Sequence, residues 1–202
     1  MDTNALLKQE AYSYDTAAIF FRSKERYGLV SNMTGGMPLQ VNDVSFQSSE
    51  GLDQAFKYPN NPEIQARIGS IGSGLFAKNV AYSLAYRPFL MPNWNDVRVD
   101  ATIAILGIKL LQHQEKFGNA LLETGSLPIV KRTPTSGTFW GAILQPNGTV
   151  IGGNALGKLL TELRDLLVET KSPSEAANQF LSTITRPKFL QVNGRDILQE
   201  RE

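Results

Sequence analysis

Between two groups of short strand-like segments, this chain places more helix-length apolar stripes than a βαβ alternation can use. Ile64, Ile68 and Ile71 recur at i, i+4, i+7 behind Asn61-Pro62-Glu63, which offers a cap, a proline at the first helical position and an early acid. Gly72 and Gly74 interrupt, and a second helix is expected over about residues 75–86. The longest helix starts at Asn93 or Asn95 and carries Val99, Ile103, Leu106 and Leu110 as its core stripe. Phe117, Leu121 and Leu122 mark another, ended by Gly125. Leu156, Leu159, Leu160, Leu163 and Leu167 mark a further one, with Asn154 as its cap. A last helix is expected near residues 173–181, ahead of a polar tail. Strand-like runs cover residues 17–21, 127–130 and 139–144. Residues 38–41 and 44–46 flank Asn42-Asp43 as a tight hairpin, and Pro146-Asn147-Gly148 turns the chain. These elements predict an α+β, mostly helical single domain with short strands. The expected organisation is a lead-in over 1–16, a main domain over 17–170, and a C-terminal helix and tail over 171–202 packed on it.

Composition narrows the chemistry. The net charge of +1 gives no overall field toward nucleic acid or membrane, although a groove in a neutral protein can still be basic. There is no Cys, which excludes disulfides, a cysteine nucleophile and cysteine-based zinc sites. The single His113 cannot build a multi-histidine metal site, so no metal and no cofactor are expected. No apolar run approaches the roughly 20 residues of a membrane span. Met1-Asp2-Thr3-Asn4 does not open a signal peptide, so a cytoplasmic protein is expected.

Four places concentrate polar residues beside glycine or aromatic rings. The first is Ser31-Asn32 before Gly35-Gly36, which by itself also reads as a turn. The second runs from Ser48 to Pro59 and reads as a short helix that Pro59 stops. Ser48 or Ser49 can cap it. Glu50, Asp53, Gln54 and Lys57 fall on one face, with Leu52, Ala55 and Phe56 opposite. An acid, an amide and an amine on one stripe suit a ligand that is held and cleaved; the same stripe also reads as a solvated face with an i,i+4 pair. The third is Asn93-Trp94-Asn95-Asp96-Val97-Arg98, which equally reads as a cap with a structural ion pair. The fourth joins Phe139-Trp140-Gly141 to Gly152-Gly153-Asn154, where a helix start can offer N–H groups to a phosphate. A core tryptophan on a strand is the other reading of Trp140. Neither a Walker loop nor a Rossmann fingerprint is present.

Taken in order, these places resemble the NADAR family. The resemblance rests on Phe20-Phe21, Tyr27-Gly28-Leu29-Val30-Ser31-Asn32, Ser49-Glu50, Gln54-Ala55-Phe56-Lys57, Trp94 with Val97-Arg98, Lys109 with Gln112, Leu121 to Gly125, Phe139-Trp140-Gly141 and Gly153 to Gly157. It covers roughly residues 18–170. Ser31-Asn32-Met33, Gly35 to Leu39, Phe56-Lys57-Tyr58-Pro59, Pro62-Glu63-Ile64-Gln65 and the stretch from Lys188 to Ile197 are closer to the branch paired with DarT-type DNA ADP-ribosyltransferase toxins than to YbiA-like N-glycosidases. Many relatives carry Glu-His or Glu-Ala and an aromatic where this chain has Glu50-Gly51 and Asp53. Many carry tryptophan at the Phe46 position, and many an aspartate where Ser136-Gly137-Thr138 precede Phe139.

The resemblance implies a catalytic domain that hydrolyses the N-glycosidic bond between ADP-ribose and guanine in DNA, releases ADP-ribose and opposes a DarT-type toxin. A YbiA-like action on small ribosylated riboflavin-pathway intermediates and a non-catalytic ADP-ribose or NAD reader are the alternatives. Cleavage of such a bond passes through an oxocarbenium-like state that a carboxylate stabilises. Glu50 is the first choice for that group, with Asp53 beside it and Lys57 as a phosphate or hydroxyl contact or a Schiff-base nucleophile. Ser31, Asn32, Gln54, Trp94, Arg98, Lys109, Phe139, Trp140, Gly141, Gly153 and Asn154 are the expected ligand contacts.

Overall fold

Helices follow one another through the middle of the chain, as the stripes require. The computed structural model describes residues 6–134 and 139–198; Ser136-Gly137-Thr138 lie outside them. The order is β1 (Glu10–Tyr12), β2 (Ala18–Phe20), β3 (Leu39–Val41), β4 (Val44–Phe46), α1 (Ser49–Ala55), α2 (Pro62–Gly69), α3 (Gly74–Ala81), α4 (Trp94–Gln112) and α5 (Gln114–Leu122). Then come β5 (Ile129–Thr133), β6 (Ala142–Leu144), β7 (Val150–Gly152), α6 (Ala155–Thr170), α7 (Pro173–Leu181), β8 (Gln191–Val192) and β9 (Arg195–Asp196). The class is α+β and mostly helical, as expected. The contacts divide into two units, one of residues up to Ser31 with His113–Gln179, the other of Asn32–Gln112 with everything from Phe180.

The first unit is built on a mixed sheet in the order β1-β7-β6-β5-β2. β2, β5 and β6 run parallel, while β7 returns antiparallel to β6 and to β1. Residues 10–12 of the lead-in therefore supply the sheet's outer strand. α6 lies against β5, and its stripe of Leu156, Leu159, Leu160, Leu163 and Leu167 is buried. Gly157 sits so close to β5 that a Cβ there would lie 2.1 Å from the Ile129 carbonyl oxygen. The strand expected over 139–144 is confined to β6. The carbonyls of Phe139, Trp140 and Gly141 instead accept from the N–H groups of Ala155 (2.8 Å), Leu156 (3.3 Å) and Asn154 (3.1 Å).

The second unit is helical, with the β3–β4 hairpin on it. Asn42 and Asp43 both take positive φ, 47° and 67°, which is the tight turn their types favour. The apolar face of α1 places Leu52, Ala55 and Phe56 wholly inside, among Leu39, Phe46, Ile68, Ala77, Ala104 and Ile105. Burying one such Leu or Phe contributes about 1.5–3 kcal/mol. α3 ends at Ala81 and does not run to Tyr86. The Tyr58 hydroxyl donates to the Ala81 carbonyl, and burial pushes its pKa up to about 12, so it stays a donor. Beyond it, Pro88 admits only a 3-10 turn over Arg87–Phe89.

The polar tail is also ordered differently from the expectation. β8 and β9 form a hairpin around Asn193-Gly194, at φ 54° and 71°. Asn42 Nδ2 donates to the carbonyls of Val192 (3.0 Å) and Arg195 (2.8 Å), tying the two hairpins together.

Candidate active site

Ser48 starts α1 as its N-cap, its hydroxyl accepting from the Gly51 N–H at 3.1 Å. This fixes the phase of the helix, and with it the row Glu50, Asp53, Gln54, Lys57. The row is not a solvated face, because Gln54 is 1% exposed and Lys57 4%. Gln54 Nε2 donates to Glu50 Oε1 at 2.8 Å and to Asp53 Oδ2 at 3.0 Å. Its Oε1 accepts from Lys57 Nζ at 2.7 Å. No other orientation of this amide fits, since a carboxylate only accepts and an ammonium only donates. Gln54 thus couples two carboxylates to one amine in a fixed geometry.

Lys57 is held by more than Gln54. Its Nζ donates to the Tyr82 hydroxyl at 3.1 Å and lies 3.5 Å from Asp53 Oδ2. It stands 4.9 Å from the Tyr82 ring centre and 5.2 Å from that of Trp94. Two π faces, a carboxylate and a carbonyl oxygen replace the water this amine gives up on burial.

Asn32 approaches from the other side. Its backbone carbonyl accepts from the Glu50 N–H at 3.0 Å. Asn32 Oδ1 and Ser49 Oγ are both buried without a hydrogen-bond partner among the described residues. Buried polar atoms are nearly always satisfied, so two unsatisfied ones, on Ser49 and on the Asn32 whose carbonyl holds the Glu50 N–H, suit a polar ligand near this helix start. Gly74 closes this side. A Cβ there would lie 2.9 Å from Glu50 Cβ and 3.1 Å from Met33 Sδ, so only glycine lets α3 come this near.

The structure therefore brings Glu50, Asp53, Gln54, Lys57, Asn32 and Trp94 together. Arg98 sits one turn along α4 from Trp94, half-buried, and burial lowers its guanidinium pKa from the usual value. Lys109 belongs to a different place. Fifteen residues of helix put it about 22 Å along the axis from Trp94, and it is wholly buried. The length of α4 thus separates Lys109 from the Trp94 end of the helix.

Ser31, Phe139, Trp140, Gly141, Gly153 and Asn154 form part of the first unit. Trp140 is half-buried in a turn and not on a strand, its ring edge-on to Phe139 at 4.8 Å and 77°. Asn154 does not cap α6 with its side chain. It adopts φ 52°, and its side chain clamps β5, donating to Ile129 O at 2.9 Å and accepting from the Lys131 N–H at 3.0 Å. The N–H groups of residues 154–156, expected to face a diphosphate, already donate to the 139–141 carbonyls. Asn154→Ala removes both β5 bonds and leaves alanine in the left-handed region; it is expected to destabilise the fold by about 2–4 kcal/mol, read from the urea midpoint.

Sequence reasoning missed Tyr82 and the role of Gly74, and gave Ser49 only as a cap candidate and a motif residue. Tyr82 lies 25 residues beyond Lys57, and no local pattern marks it. Only the Gly74-containing break was visible, and it reads as an ordinary interruption.

A family model described as the NADAR domain matches residues 19–168, running through segments of both units. The NMR structure of the E. coli protein YbiA is similar at a TM-score of 0.62 and 28% identity, covering 78% of this chain and 88% of that one. No curated protein sequence matches the chain.

Proposed function

We propose, from the premise that the chain belongs to the NADAR family, that this N-glycosidase-type enzyme hydrolyses the bond between ADP-ribose and guanine in DNA and so reverses a DarT-type toxin. The observation that carries the reading is the fixed Glu50–Gln54–Lys57 relay beside two orphaned acceptors. A departing base needs a proton and the ribose carbon needs an electron-rich neighbour; one carboxyl group supplies the first as an acid and the second once ionised. Lys57 sits two links away, its Nζ 3.5 Å from Asp53 Oδ2. As a nucleophile, neutral Nζ acts after the C1′–O4′ bond opens with a proton from Glu50 to O4′. It adds to C1′, its two protons go to the base nitrogen and back to Glu50, the bond from C1′ to the base breaks, and a C1′=Nζ bond remains. Water then adds across the C1′=N bond, returns the free amine and yields ADP-ribose. The orphaned Asn32 Oδ1 and Ser49 Oγ suit the ribose hydroxyls.

The motifs from Ser31 to Leu39 and from Phe56 to Pro59 support a DNA substrate over a small one. The similarity to YbiA favours the second reading, an N-glycosidase acting on a small ribosylated riboflavin-pathway intermediate. Incubation with guanine-ADP-ribosylated oligonucleotide and mass spectrometry of both products decides between them. The expected result is unmodified oligonucleotide plus ADP-ribose. Ribose phosphate released from a small substrate, with the oligonucleotide untouched, selects the YbiA-like reading. Calorimetric binding of ADP-ribose with no turnover of either selects a non-catalytic reader.

A further inference from the structure

Next to the site, the same unit carries a surface that bond cleavage itself does not require. Over residues 64–95 there is no Asp or Glu, while Arg67, Lys78 and Arg87 are present. Within this stretch Phe76, Tyr82, Leu84 and Phe89 are 63%, 51%, 82% and 52% exposed. The inward face of α3 is already supplied by Gly74, Ala77 and Ala81, all buried. Leu75, Asn79 and Tyr82 then fall at i, i+4, i+7 on the outward side. Two concavities of about 510 and 410 Å³ share Asn60, Asn61 and Phe89, and the second continues to Lys188 and Phe189. Glu63 lines the first. The surface is rooted in the site at two points. Tyr82, half exposed, accepts from Lys57 Nζ, and the Met91 N–H donates to the Lys57 carbonyl at 2.9 Å.

We infer that the aromatic and basic surface of this stretch, from α3 to Phe89 and edged by Glu63, holds the single-stranded nucleic acid on either side of the modified base. Rings left in water stack on bases whatever the sequence, and exposed Lys78 and Arg87 can take phosphates. A protein partner or a second copy would use the apolar rings but gives no reason for acids to be missing from the whole stretch. The inference rests on the DNA reading above and adds where the strand lies.

The test is fluorescence anisotropy with a short unmodified single-stranded oligonucleotide, over a range of salt concentrations. Binding that weakens with salt is expected. Phe76→Ala and Phe89→Ala are expected to weaken it about tenfold each, and Lys78→Gln and Arg87→Gln to reduce the salt slope by about 0.7 each. On ADP-ribosylated oligonucleotide the same variants raise KM, while turnover of ADP-ribosylated guanosine is unchanged. Absence of strand binding, or variants that bind like the parent, overturns the inference. So does a parent dimer in sedimentation that these variants dissociate, because the surface then serves a second copy. If the strand binds and the variants weaken it, but no ADP-ribose leaves a modified oligonucleotide, the surface stands and the hydrolase reading falls.

Discussion

Glu50→Gln is expected to lower kcat on ADP-ribosylated oligonucleotide by about 10²–10⁴-fold. The glutamine keeps the side-chain length, and its Oε1 still accepts from Gln54 Nε2, where Glu50 accepts now at 2.8 Å. The approach of Gly74 to Cβ is also kept. What disappears is the charge and the transferable proton. Loss of a first-turn acid is expected to cost about 0.3–1 kcal/mol of stability, small enough for the protein to stay folded, so the loss reads as chemistry and not unfolding. Near-full turnover by a folded Glu50→Gln protein would remove this carboxyl group from the mechanism.

Lys57→Met is expected to reduce kcat/KM by about 10²–10³-fold. Methionine fills the space between the Tyr82 and Trp94 rings but donates nothing to Gln54 Oε1, Tyr82 or Asp53. An amine that only gripped a phosphate would gain from reaching outward. Lys57 is instead 4% exposed and enclosed by Gln54, Tyr82 and Trp94. Borohydride added during turnover is therefore expected to leave a ribosyl adduct on the peptide containing Lys57. If no lysine adduct forms at any enzyme concentration, Lys57 acts through its charge alone. The activity loss in Lys57→Met would then appear mainly in KM.

No helix among the described residues is long and apolar enough to cross a membrane, as the short apolar runs implied. The strands agree least with the sequence reading, and for one reason. A strand of three residues, such as β6, has its length set by what its neighbours leave unpaired. Phe139 and Trp140 have strand-forming side chains, yet their carbonyls go to the start of α6. The β8–β9 hairpin did leave a signal, Asn193-Gly194, which the polar character of the tail obscured.

Local chemistry was enough to determine where most helices lie from periodicity, the cap at Ser48, the stop before Pro59, the turn at Asn42-Asp43, and the alignment of Glu50, Asp53, Gln54 and Lys57 on one face. Each depends on residues within a few positions of one another, and a repeat of 3.6 acts at that range. Whether that face meets water or closes into a site is decided elsewhere in the chain. Tyr82, Trp94 and the Asn32 carbonyl come from separate segments, and Gly74 lets one of those segments approach. Burial is a property of the packed unit, so the same four side chains that read equally well as a solvated stripe become an enclosed acid–amide–amine relay only when α3, α4 and the Asn32 turn close over them.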